Sequence, residues 1–289
     1  MPVVPWTHLP SLAPVAACLG LTVERLVSDS AAFPVGVHGI AMVRDGEVRA
    51  CGLSVDRHMA TDGVFTLAWL AAPPGAGGDV ADFLSSFEQA AVWRGAARLR
   101  VSIRSAPDAG PILRDRGYSA VNSNIDLRRE IAQAPGPLPP GQVERTLDEC
   151  GVERFLDLAN AAFADVPFGA PLSLATAERM FATPGFDRSL VRVVVAGDSL
   201  VAFHRSSIDA EGVGHIEALG VDRGARGRGL GRWVLRRAGQ LLDAAGARSV
   251  QLGVTESNGA AYALYLAEGF IEISRREVWE AAVGGSGVL

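Results

Sequence analysis

The chain contains no lysine; all 27 basic residues among its 289 are arginine. That absence removes two chemistries. A phosphate-binding loop of the GxxxxGK[ST] type needs its lysine on the phosphates, and a pyridoxal Schiff base needs a lysine amine. Cysteine is scarce: Cys18, Cys51 and Cys150 are far apart in sequence and none belongs to a CxxC pair. A disulfide framework and a cysteine-based zinc site are therefore not expected. The histidines at 8, 38, 58, 204 and 215 show no HxH or HExxH spacing, so no metal is expected. No window holds 18 uninterrupted apolar residues, so no spanning helix and no membrane partner are expected. The opening residues lack a basic segment leading into an apolar run, which points to a cytoplasmic location. A net charge of −5 argues against a general nucleic-acid binder.

The balance of 48% hydrophobic and 20% charged residues is globular, and the length suits two domains. Residues 131–142, IAQAPGPLPPGQ, are rich in proline and glycine and read as a linker. This predicts domains over 1–130 and 143–289. Within 143–289, a helix follows Asp148, taken as its N-cap, and a second covers 174–183. Two β-branched runs flank Gly197-Asp198, a hairpin signal. Strands are expected at 213–221, 249–254 and 270–279. Helices are expected from Leu230, with an i, i+3, i+4 apolar stripe, and over 258–267 up to Gly269. The tail 284–289 is expected to be loose. The first half repeats this order. It has a hairpin at Asp45-Gly46, a strand at 64–72, a glycine turn, a helix, a strand, and a short helix ending in Gly117-Tyr118. We read this as an internal duplication.

The informative stretch is 219–232, LGVDRGARGRGLGR. Gly227, Gly229 and Gly231 let backbone approach a ligand closely. The amides of the helix that follows, with its dipole, make an anion site suited to phosphate. Arg223, Arg226, Arg228, Arg232, Arg236 and Arg237 surround it, and only Asp222 opposes them locally. A dinucleotide fold would want GxGxxG; here the second interval is one residue too short. Alternatively the turn is an ordinary surface turn with solvated arginines.

Arg226-x-x-Gly229-x-Gly231 resembles motif A of the GNAT superfamily of acyl-CoA N-acyltransferases. About 27 residues on, Asn258-x-x-Ala261-x-x-Leu264-Tyr265-x-x-x-Gly269-Phe270 resembles its motif B. The tandem layout resembles actinobacterial acetyltransferases of the mycothiol synthase type. The resemblance implies an α/β fold of two GNAT-like domains. Each would have a mostly antiparallel mixed sheet with a splayed parallel strand pair, flanked by helices. It implies acetyl-CoA, or another acyl-CoA, as donor and an amine, small-molecule or peptide, as acceptor. Direct attack in a ternary complex by a monomer or homodimer would follow. The alternative is a non-catalytic acyl-CoA sensor or structural partner.

The resemblance also implies roles. Pantetheine would lie along the splayed strand at Leu219, Gly220 and Val221, with an amide of Leu219 or Val221 facing the thioester oxygen. The pyrophosphate would sit on residues 226–231 and adjoin Arg232, that is on Arg226, Gly227, Arg228, Gly229, Leu230 and Gly231. Asn258, Ala261 and Tyr262 would border the donor. Tyr265 matches the general-acid position. His215 occupies a position where many relatives carry a catalytic glutamate, and Glu217 shares its face provided no bulge intervenes. Either could be the base; both could instead be structural polar residues, and Tyr265 a packed aromatic. Glu256 is a weaker acceptor-pocket candidate, and His204 lies on the neighbouring strand. Residues 164–173 and the hairpin turns are the expected acceptor loops. The first-half turn, AAPPGAGGDVAD, carries Asp79 and Asp82 and no arginine, and Asp115 stands near the tyrosine position. The first half is therefore expected to be a degenerate domain that binds CoA poorly.

Overall fold

The computed structural model describes residues 3–24, 26–27, 36–56, 58–130, 134–164, 171–182 and 186–284, the side chain of Thr61 excepted. The chain divides into two compact units. One comprises 1–123 and 276–289; the other is Asn124–Arg275.

In the first unit, β1 (Val3–Pro5), β2 (Val37–Arg44), β3 (Glu47–Val55), β4 (Val64–Ala71), β5 (Arg98–Ser105) and β12 (Ile271–Ala282) lie side by side in that order. All neighbours are antiparallel except β4 and β5. Asp45-Gly46 makes the expected hairpin, with both residues at positive φ (54° and 80°). The helix Gly77–Trp93 covers one face, its Phe87 stacked on Phe65 at 4.9 Å. The helix Ala13–Leu19, not foreseen from sequence, covers the other, where Val15, Ala16 and Leu19 bury against Cys51 and Leu53.

The second unit repeats the order. β6 (Ser119–Arg129), β11 (Ser249–Thr255), β10 (Val213–Val221), β9 (Ser199–Ile208), β8 (Val191–Ala196) and β7 (Gln142–Thr146) are neighbours, with only β10 and β11 parallel. The helices Val152–Phe163 and Leu174–Phe181 pack on one face, and Leu230–Ala244 on the other. Gly220 marks the first face: a Cβ there would meet the Phe203 ring at 2.3 Å and Ala162 at 2.9 Å. Gly214 marks the second, with Leu242 and Ala247 at 3.0–3.1 Å.

Two details differ from the sequence reading. Asp148 is not the N-cap. A short helix, Leu147–Cys150, comes first, with Thr146 as its N-cap in a reciprocal capping box with Glu149, and the helix Val152–Phe163 starts from Gly151 with no side-chain cap. The last strand of each half completes the sheet of the other, so the units divide at Ser123/Asn124 and Arg275/Arg276 and not within 131–142. Residues 134–141 have no regular structure, as their prolines require, and the Trp233 indole donates to the Gly136 carbonyl at 2.8 Å. Residues 131–133 and 285–289 lie outside the described residues.

Candidate active site

The site grows from one irregularity in β10. Ile216 pairs with Ser206 and Ala218 with Arg205, so Glu217 is an extra residue with no partner on β9. A bulge of this kind bends its strand. β10 and β11 pair from Val213↔Ser249 to Ile216↔Leu252, and the pairing stops there, at the bulge. The two parallel strands part beyond it. Asp222 N donates to Val201 O. Counting back by the alternation of an antiparallel strand, the N–H groups of Leu219 and Val221 point away from β9, into the opening.

At the open end the chain makes a short turn over Arg223–Ala225, capped by Asp222 Oδ1 on Gly224 N at 2.9 Å. Gly227 and Gly229 follow at φ 76° and 82°, left-handed backbone that a β-branched residue adopts only under strain. Gly229 is the N-cap of Leu230–Ala244, and no side chain caps it, so the first-turn amides keep their donors for an external anion. Gly231 differs: a Cβ there would meet Leu264 at 3.5 Å, ordinary contact that admits alanine.

The arginines divide by task. Arg226 donates to Val221 O and Ala162 O, both at 3.1 Å, and ties the turn to the helix Val152–Phe163. Arg232 and Arg236 converge on buried Glu268 at 2.8 and 2.7 Å, and Arg237 pairs with Glu144 at 2.9 Å. Arg228 is exposed and has no ion pair with a described residue. Three of the six arginines of this stretch thus pair with two acids from elsewhere, and exposed Arg228 stands beside the turn.

Asn258 accepts from Ala261 N at 3.3 Å and caps the helix Gly259–Ala267. The Tyr262 hydroxyl donates to Glu272 at 3.1 Å. Tyr265 is 7% exposed and packs in one cluster with Ile216, Leu252 and Val254, the residues flanking the point where β10 and β11 part. Its phenol has no hydrogen-bond partner among the described residues, and burial pushes its pKa up to about 12.

His215 and Glu217 keep to one face despite the bulge. Ser207, opposite His215, donates its hydroxyl to Glu217 Oε1 at 2.8 Å. His215 Nε2 lies 2.8 Å from Asp209 Oδ2. Arg205 is on this face too; burial draws its pKa down, Glu217 opposes that shift, and it has no hydrogen bond to a described residue. Asp209, Ser207 and Arg205 are absent from the sequence reading, since none carries a motif; only the β9–β10 register reveals them. His204 does not reach His215. It alternates with Phe203 and Arg205 and so projects to the opposite face, fully buried, where burial and Arg192 and Arg237 hold its pKa down to about 3. Glu256 is engaged by Arg275 at 2.5 Å. Of the acceptor-loop stretch 164–173, residues 165–170 lie outside the described residues.

The first unit was expected to splay in the same way, and it does not. β4 and β5 remain paired to Ala71↔Ser105 despite a bulge at Trp69, φ 58°. Its turn amide Gly75 N is taken by Asp108 Oδ2 at 2.8 Å. Asp79 is held by Arg44 at 2.8 Å and Arg49 at 3.0 Å. Tyr118 N bonds Leu113 O as Phe270 N bonds Tyr265 O, so buried Leu113, not exposed Asp115, is the counterpart of Tyr265. A cavity of about 420 Å³ lined by Ile40, Phe65, Phe87 and Arg94 sits toward the far end of Gly77–Trp93, away from that turn.

Residues 152–270 match the acetyltransferase (GNAT) family. A mycothiol acetyltransferase of Salinispora arenicola is 31% identical over 276 residues, covering 86% of this chain and 88% of its own. Mycothiol acetyltransferases of Thermomonospora curvata and Beutenbergia cavernae are 30% and 36% identical over 53% and 58% of this chain. The chain spans 53% and 61% of their lengths. A GCN5-related N-acetyltransferase from Sphaerobacter thermophilus superposes with a TM-score of 0.73 at 21% identity, over 95% of this chain and 91% of its own. A tandem GNAT protein from the clavulanic acid pathway gives 0.70 at 14%, over 98% of both chains. The two units therefore share the GNAT fold, and the chain belongs to the GNAT family of acetyltransferases.

Proposed function

We propose that the second unit moves an acetyl or other short acyl group from acyl-CoA to a primary amine of a small molecule, by direct attack with both substrates bound. The observation that carries this reading is the parting of β10 and β11 at the Glu217 bulge, beside an uncapped helix start that follows two left-handed glycines. An extended pantetheine arm needs an open strand edge, and its pyrophosphate needs unpaired amides. Both are present in one unit, on β10 and the turn that follows it. The names of the relatives direct the first choice of acceptor to a mycothiol-type amine.

The donor supplies a thioester carbonyl activated for attack. Around it, the amides from Gly227 to Gly231 and the Arg228 guanidinium hold the pyrophosphate. Leu219 and Val221 offer N–H groups to the carbonyl oxygen as charge builds on it. A free alkyl amine is protonated at neutral pH and must lose a proton to attack. His215 takes that proton, and Glu217 orients the amine. The Tyr265 phenol, still protonated well above neutral pH, gives its proton to the leaving sulfur.

The test is release of free CoA thiol from acetyl-CoA with a panel of amines that includes a mycothiol-type acceptor. Turnover with at least one amine is expected. Tight donor binding without turnover across the panel would replace this reading with that of an acyl-CoA sensor.

A further inference from the structure

We infer that Asp209 is a positioning residue for His215, holding the imidazole in the tautomer whose Nδ1 is bare and able to take the proton of the acceptor amine. This inference rests on the reading of His215 as the base.

It starts from the turn that joins β9 to β10. Asp209 N donates to Val213 O and Gly212 N to Asp209 O, both at 3.0 Å, with Gly212 at φ 75°. The turn brings the Asp209 carboxylate back over the start of β10, where each oxygen has a donor. Oδ1 accepts from Val213 N at 2.8 Å, and Oδ2 lies 2.8 Å from His215 Nε2. The side chains are only 12% and 21% exposed, so water competes little for either. A carboxylate oxygen accepts and cannot donate, so the proton of this contact sits on Nε2. A neutral imidazole carries one N–H, and Nδ1 is left with its lone pair. When Nδ1 takes a proton, the cation forms against a fixed carboxylate. This is the service a buried aspartate gives the histidine of a hydrolase triad.

The neighbours do not offer His215 the same contact. Ser207, opposite, is spent on Glu217, and Glu217 is itself an exposed residue. Gln251 pairs alongside on β11 with Arg128 beyond it on β6, where Arg128 donates to Ser249, and Arg205 is the cation of this face on β9. The separation of tasks follows: Asp209 fixes the base, and Glu217 remains for the substrate.

The experiment reads the tautomer directly. In the wild-type protein labelled with ¹⁵N-histidine, NMR should give His215 a protonated Nε2 and a bare Nδ1 at neutral pH. The reverse assignment overturns the inference without any variant. Asp209→Asn keeps an oxygen for Val213 N and should remove the tautomer preference. Its kcat should fall at least tenfold with an unchanged Km for the donor, and Asp209→Glu should restore part of it. His215→Gln should be as slow as, or slower than, Asp209→Asn, and the double variant no slower than His215→Gln. If Asp209→Asn keeps wild-type kcat while His215→Gln is slow, Asp209 is structural and the base assignment stands. If His215→Gln itself turns over normally, the base assignment falls and this inference with it.

Discussion

The two units share a strand order, a parallel central pair and a glycine turn, yet only one presents an opening. In the second unit β10 and β11 keep four paired positions and then part. In the first, β4 bulges at Trp69 and still rejoins β5 at its end. The turns differ in the same sense. Gly75 N is satisfied by Asp108 from within its own unit, whereas Asn258, at the corresponding helix start, caps its own helix and leaves the motif A turn alone. Leu113 stands where Tyr265 stands. One topology thus persists across three separate local differences: a closed strand pair, an internally satisfied amide and a leucine where the other unit has a tyrosine. A fold is kept by packing, and a site is kept by unpaired groups that packing tends to consume.

The broadest test of this contrast is stoichiometry. Calorimetry with CoA should give one site per chain, and a second site of similar affinity would end the comparison. Next in size is Tyr265→Phe. General acid catalysis is typically worth about 10²–10⁴-fold, and a thiolate is a fair leaving group, so kcat should fall by about 10². Donor affinity should survive, because the ring still packs on Phe270 and Ile216. Wild-type turnover when chemistry limits the rate would make Tyr265 a packing residue. Because burial raises its pKa from 10 to about 12, the phenol's contribution to stability is complete below pH 10 and is lost as pH rises toward 12. Tyr265→Phe should flatten alkaline unfolding in that window.

A matched pair of glycine variants sharpens the comparison further. Gly229 (φ 82°) and Gly75 (φ 79°) both have open space where a Cβ would go. Valine at either suffers the same backbone strain, roughly 1–3 kcal/mol. Gly229→Val should weaken CoA binding about tenfold or more, and Gly75→Val should leave it unchanged; equal losses would mean that the effect is general destabilisation. The smallest effect concerns scaffolding. Glu268 is 3% exposed and collects Arg232 and Arg236. The arginines are partly solvated, so Glu268→Gln should cost about 1–3 kcal/mol, seen in thermal denaturation as a fall of several degrees. An unchanged Tm would show that solvent replaces the pair.

Much of this was legible beforehand because it depends on neighbours in the chain. The hairpins at Asp45-Gly46 and Gly197-Asp198, the stripe from Leu230 and the motif A glycines are local matters of φ, periodicity and turn chemistry. One reading failed for want of contacts. The arginines of 223–237 looked like one basic patch, but two acids outside that stretch, Glu144 and Glu268, pair with three of them. His204, read as more incidental than functional on the strand beside His215, is indeed turned to the other face by strand alternation.

Most of the element order, the repeated topology and the place of the glycine turn could be read from residue spacing alone, since each follows from patterns within a few residues to a few tens of residues. Which sheet each half's last strand joins, and that one parallel pair opens while the other stays closed, follow from packing between distant segments. The tertiary structure also decided that Asp209 meets His215. These depend on the register of strands, and a register is set by the sum of many side-chain contacts across a sheet, with single shifts of one residue reversing which face a side chain occupies.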